Sequence, residues 1–197
     1  MIRVTELLRW AGITSPIPMT TAMQTAMQRG TAVHEWSVRV ERGRWLPDRR
    51  GKLGGDVILA MPQPLRGYGR AVAAFVEAYR PEWSTVESRI DDRAIDLTGC
   101  PDRVGLINGE RVVVDYKTGG RSAWHRLQVA LYAILVERSL WTPDGCPRFN
   151  KRLIVYLSPD GTYRLASYAG RQDILEAWSL ITRYRKSSPK FRSEVIG

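Results

Sequence analysis

A chain of 197 residues can bury a real core within one domain, and its 44% apolar and 25% charged residues exclude disorder, collagen and a disulfide-stapled miniprotein. No apolar run approaches the ~18–20 residues of a membrane span, Glu6 and Arg9 break any signal-like stretch at the start, and Cys100 and Cys146 are too few for a disulfide framework or an iron–sulfur cluster. A cytoplasmic protein with reduced thiols is expected, and thirty Lys+Arg against twenty Asp+Glu, net +10, point to a polyanion such as nucleic acid or simply to solubility.

The first predicted element is a short helix over about 3–11, with Leu7, Leu8 and Trp10 at helical spacing and Gly12 as a stop. Thr20 and Thr21 can cap a long helix from about 21 to 42, ended by Gly43. Residues 43–66 then read as an irregular segment rich in Gly and Pro, with one short strand at 56–60. The stretch 39–52 carries six basic and two acidic residues. A helix over 67–80 closes at Pro81. Four short β-branched runs follow, at 85–90, 93–99, 103–107 and 111–117, and Asn108-Gly109 between the last two is a strong hairpin signal. An amphipathic helix is expected at 122–140, strands at 151–158 and 162–168, and a last helix at 171–186 that leads into a basic tail, 183–197. The order predicts an α/β fold, a mixed central β-sheet flanked by helices, as a single domain over 1–197.

The hairpin carries the sharpest inference. If its loop is symmetric about Asn108-Gly109, paired residue numbers sum to 217 and Asp102 faces Asp115. Lys117 then shares the face of Asp115, with Val104 and Val113 as apolar support. Two carboxylates in such company are relieved by a shared proton or by a divalent cation, and oxygen donors suit Mg²⁺ or Mn²⁺. The same residues also fit a plain surface hairpin in which Lys117 screens two acids, and a one-residue bulge would break the register.

The motifs GTAVHE, GCPD, VVVDYKTG and QVALY occur in the order His, Gly-x-x-Asp, Asp-x-Lys and Gln-x-x-x-Tyr. This set resembles the PD-(D/E)xK nuclease superfamily, in its RecB-type branch. The opening VTELLRWAGI with RGTAVHE is similar to small phage and prophage exonuclease-like proteins, and the resemblance spans roughly 3–135. It implies that Asp102 and Asp115 are metal ligands, joined by the carbonyl of Tyr116 and by His34, and that Lys117 is the catalytic lysine. Glu87 matches an acidic residue on the preceding strand that binds metal or a metal-bound water. Gln128 and Tyr132, one helical turn apart, brace the site backbone, touch the nucleic acid or are simply core, and Trp124, which extends their row backwards, is a further candidate to meet the substrate. His34 makes Mn²⁺ congenial beside Mg²⁺. The cysteine count argues against the cluster-bearing subgroups.

The expected function is a metal-dependent deoxyribonuclease that hydrolyses phosphodiester bonds, an exonuclease in phage or prophage DNA processing, with a recombination protein as a possible partner. The alternatives are a non-catalytic nucleic-acid-binding or partner-recruiting module on the same fold, and a structure-specific endonuclease. The basic 39–52 segment and the tail are expected to contact nucleic acid.

Overall fold

The computed structural model describes residues 1–14, 20–45, 55–139 and 151–188. In chain order, β1 (Ile2–Arg3) leads into α1 (Val4–Trp10), α2 (Thr21–Trp45), α3 (Gly55–Ala60), a 3₁₀ turn (Gln63–Leu65) and α4 (Arg66–Tyr79). Strands β2 (Glu82–Val86), β3 (Ile90–Asp92), β4 (Leu97–Gly99), β5 (Arg103–Ile107) and β6 (Glu110–Lys117) follow. Then come α5 (His125–Ser139), β7 (Lys151–Leu157), β8 (Tyr163–Tyr168) and α6 (Arg171–Ser187).

The main sheet has the order β2-β5-β6-β7-β8. Only β6 and β7 run parallel, and α5 lies in the connection between them, because parallel neighbours need a crossover. The other pairs are antiparallel, so the sheet is mixed as expected. Alternation along β6 divides the core. Val112, Val114 and Tyr116 join Phe75 of α4 and Val33 and Val40 of α2 on one face. Val113 joins α1, α5 and α6 on the other. The result is a sheet with helices on both sides.

The hairpin forms in the predicted register, from Arg103↔Val114 to Ile107↔Glu110. Asn108 and Gly109 both have positive φ, 52° and 75°, as a two-residue turn that follows the strand twist requires.

Several expectations are corrected. The 56–60 run is helical, in α3, since DVILA also continues an apolar face and no strand partner is available to it among the described residues. The predicted strand 85–90 is broken at Glu87, whose φ is +47°, and its two halves enter different sheets. Only 97–99 of the predicted strand 93–99 is extended, because Asp92 Oδ1 accepts hydrogen bonds from the amides of Ala94 and Ile95 and turns the chain there. Helix α2 continues past Gly43 to Trp45. Helix α5 is buried on all sides from Leu127 to Val136 rather than amphipathic, being enclosed by the main sheet, a small sheet (β1-β4-β3) and helices α1 and α6. Residues 46–54 of the basic segment, Cys146, and the tail beyond Ser188 lie outside the described residues.

Among the described residues no helix is long and apolar enough to cross a membrane.

Candidate active site

The ladder between β5 and β6 stops at Arg103↔Val114, one pair short of Asp102 and Asp115. Asp102 therefore does not complete a cross-strand pair. Its Oδ2 accepts a 2.6 Å hydrogen bond from the Tyr116 amide, which ties it to the end of β6. Its backbone carbonyl accepts from the Glu87 amide at 2.9 Å. Gly99, at the start of Gly-x-x-Asp, is required by packing: a Cβ there would lie 2.8 Å from Tyr132 Cε1.

His34 reaches this end of the sheet from α2. Its Nδ1 lies 3.1 Å from Asp102 Oδ1 and 3.4 Å from Glu87 Oε1. Ligand atoms of His34, Glu87 and Asp102 all fall within 4.8 Å of one another. Burial alone would lower the His34 pKa. The charge and hydrogen bond of Asp102, with help from Glu87 and Asp115, outweigh it and hold the imidazole up to about 10. The surrounding carboxylates thus favour positive charge at this position.

Asp115 is buried on the α5 side of β6, and its Oδ2 lies 2.7 Å from Lys117 Nζ. Burial pushes its carboxyl up, Lys117 draws it back, and the charge of Asp102 pushes it up again. Asp115 and Asp102 therefore sense each other, although Asp115 spends its contact on Lys117. The Lys117 ammonium also stands 5.7 Å from the centroid of the Trp124 ring.

Gln128 and Tyr132 are both buried, and Gln128 Nε2 donates to the Tyr132 hydroxyl at 3.2 Å. Tyr132 packs on Gly99 behind Asp102, and burial first, then the charge of Asp115, raises its pKa. Both side chains lie within the core and not in the cleft.

A cleft of about 1080 Å³ opens on the site between α2 and the end of β6. His34, Glu87, Tyr116 and Lys117 reach it, with Met27, Arg29 and Arg39 on its α2 wall. Arg39 stacks over Trp36 at 4.7 Å.

Three polar residues escaped the sequence reading. Arg103, Glu41 and Ser37 form a buried group beneath the carboxylates. Their only sequence signal is the 34, 37, 41 spacing, which sets Ser37 and Glu41 on the helix face of His34.

A divalent cation fits this donor set. Two carboxylates and an imidazole converge within bonding reach of one centre, and hard oxygen donors beside one nitrogen suit Mg²⁺ and Mn²⁺.

Among solved structures, the chain is similar to a candidate exonuclease from Eubacterium rectale, at 12% identity and TM-score 0.45, over 89% of this chain and 68% of that one. It is also similar to an alkaline exonuclease from Laribacter hongkongensis, at 14% identity and TM-score 0.41, over 98% and 77% of the two chains. The same enzyme in complex with dAMP gives 15% identity and TM-score 0.40, over 96% and 77%. No curated protein sequence matches significantly. The family model of the PD-(D/E)XK nuclease superfamily matches residues 9–178, a span that contains every residue of the site just described, and the chain belongs to that superfamily.

Proposed function

We propose that this nuclease is a divalent-metal-dependent deoxyribonuclease that works as an exonuclease in phage or prophage DNA processing, in the host cytoplasm. The observation that carries the metal-dependent reading is the convergence of His34, Glu87 and Asp102 next to the Asp115–Lys117 pair, at the floor of a basic cleft. The exonuclease and phage assignments are supported by the resemblance of VTELLRWAGI and RGTAVHE to small phage exonuclease-like proteins.

Asp102 and Asp115 would hold Mg²⁺ or Mn²⁺, with His34, Glu87 and the Tyr116 carbonyl as further donors. When bound, the ion supplies Lewis acidity toward a phosphoryl oxygen and compensates the carboxylate charge. Lys117, fixed by Asp115, offsets charge that builds on the phosphate oxygens and can orient the attacking water. Arg29 and Arg39 on the cleft wall hold backbone phosphates, and the Met27 side chain offers an apolar surface to sugar or base. Trp124 keeps the Lys117 ammonium over its ring.

The test uses end-labelled linear DNA and closed-circular DNA, with Mn²⁺ or with chelator. Linear DNA should be degraded from its ends only when the metal is present, while circles survive. Asp115→Ala and Lys117→Ala should each remove the activity while keeping the fold. Cutting of circles would instead favour an endonuclease, and activity that persists in both variants would refute the assignment.

A further inference from the structure

Arg103 follows Asp102 directly, and its side chain is wholly buried. Every arm of the guanidinium is engaged. Nε donates to Glu41 Oε2 at 2.7 Å and Nη2 to Ser37 Oγ at 2.7 Å. Nη1 donates to the Asp102 carbonyl at 2.7 Å and to Glu87 Oε1 at 3.2 Å. The cation lies 5.1 Å from the Tyr116 ring centroid, and the Tyr116 hydroxyl donates to the other Glu41 oxygen at 2.7 Å. Ser37 Oγ donates in turn to the carbonyl of His34.

These bonds join three separate pieces of chain. Ser37 and Glu41 belong to α2, one and two turns beyond His34. Asp102 precedes β5. Glu87 sits in the break after β2, in a left-handed conformation fixed at its amide by Asp102 and at its carboxylate by Arg103. Each piece carries one of the three converging donors. A buried ion pair is a weak source of stability, since well-packed apolar residues often serve as well. Its geometry, however, admits few alternatives, because a planar fork must meet all its acceptors at once.

We propose that Arg103 is a positioning residue: with Glu41 and Ser37 it sets the separation between α2 and the Asp102 and Glu87 backbones, so that His34, Asp102 and Glu87 meet one cation. This inference rests on the metal-dependent reading above.

The experiment measures Mn²⁺ affinity of the full chain by calorimetry and electron paramagnetic resonance. Wild type, Arg103→Lys, His34→Ala and the double variant are compared, with urea unfolding in chelator as a separate readout of stability. Arg103→Lys should weaken Mn²⁺ binding about tenfold or more, as loss of an orienting partner does at metal sites. In the His34→Ala background the same change should cost much less, because the donor it aligns is already gone. An equal loss in both backgrounds, or unchanged affinity, overturns the proposal whatever happens to stability. Should Arg103→Lys fail to fold, Glu41→Gln and Ser37→Ala take its place in the same cycle with the same expectations. Asp102→Asn separates the two readings. If it or the wild type shows that Mn²⁺ does not depend on this site, the metal-dependent reading falls and takes this proposal with it. Loss of Mn²⁺ in Asp102→Asn beside normal affinity in Arg103→Lys overturns only the positioning role.

Discussion

Gly99 shows how much of the site depends on the absence of a single carbon. A Cβ at this position would press on Tyr132 Cε1 at 2.8 Å and on Leu135 Cδ1 at 3.0 Å, both inside the core. Gly99→Ala should therefore cost about 1–3 kcal/mol in urea unfolding, as overpacking does. His125 gives the clearest pH dependence away from the candidate donors. Burial lowers its pKa, the charge of Lys117 lowers it further, and Asp115 offsets them in part, leaving it at about 4 against an ordinary 6.5. Tyr156, whose own pKa burial raises to about 12, stays protonated and can donate to His125 Nδ1 at 2.8 Å. The folded pKa lies below the unfolded one, so the unfolded chain gains the proton first as pH falls. The associated stability is present above about pH 6.5 and is lost between there and pH 4, about 3 kcal/mol at most. Urea titrations at pH 7.5 and 4.5 without metal should show a smaller loss in His125→Asn than in the wild type. An identical pH dependence in the two proteins would contradict the assignment of that loss to His125.

Among the elements, the β5–β6 hairpin delivers Asp102, Asp115 and Lys117 to one end of the sheet. Its turn needs a left-handed residue at 109, and a Cβ there would meet open space, so steric contact is not at issue. Gly109→Ala should cost about 1–2 kcal/mol through backbone strain alone, readable as a lowered unfolding midpoint with the metal affinity retained. Helix α2 contributes on both of its faces, with His34 toward the cleft and Val33 and Val40 in the core. Helix α5 lies within the core: Gln128 and Tyr132 are buried there, Tyr132 against Gly99, and its N-terminal end, near Trp124, approaches Lys117.

The molecule as a whole carries a net charge of +10, and arginines line its cleft. Nucleic-acid binding should weaken steeply with salt, with a log–log slope of roughly −0.9 per neutralised duplex phosphate. Arg29→Ala and Arg39→Ala should each make that slope shallower by about one such increment, measured by fluorescence anisotropy from 50 to 200 mM salt. A divalent ion that binds only the folded chain should raise its stability by about 2.7 kcal/mol at a hundred times its Kd. Mn²⁺ titrated into chelator-treated protein should thus raise the unfolding temperature, and Asp102→Asn should remove that rise.

Length, charge, the mixed α/β order and the hairpin register were legible in the sequence, because alternation along a strand and Asn-Gly turn chemistry are local. The ordered motifs, with His34, Asp102, Asp115, Lys117, Gln128 and Tyr132, also pointed to the superfamily that the family model confirms, and Glu87 was a separate match ahead of Asp102. The break at Glu87, the helical state of 56–60 and the burial of α5 on every side were decided by partners distant in the chain, which local periodicity cannot register. The same holds for Arg103. In the sequence it is one of thirty basic residues, ready to be counted toward a charged surface. Only packing brings Glu41 from 62 positions away to meet it and turns a cation that would otherwise stay in water into a buried tie between the pieces of the site.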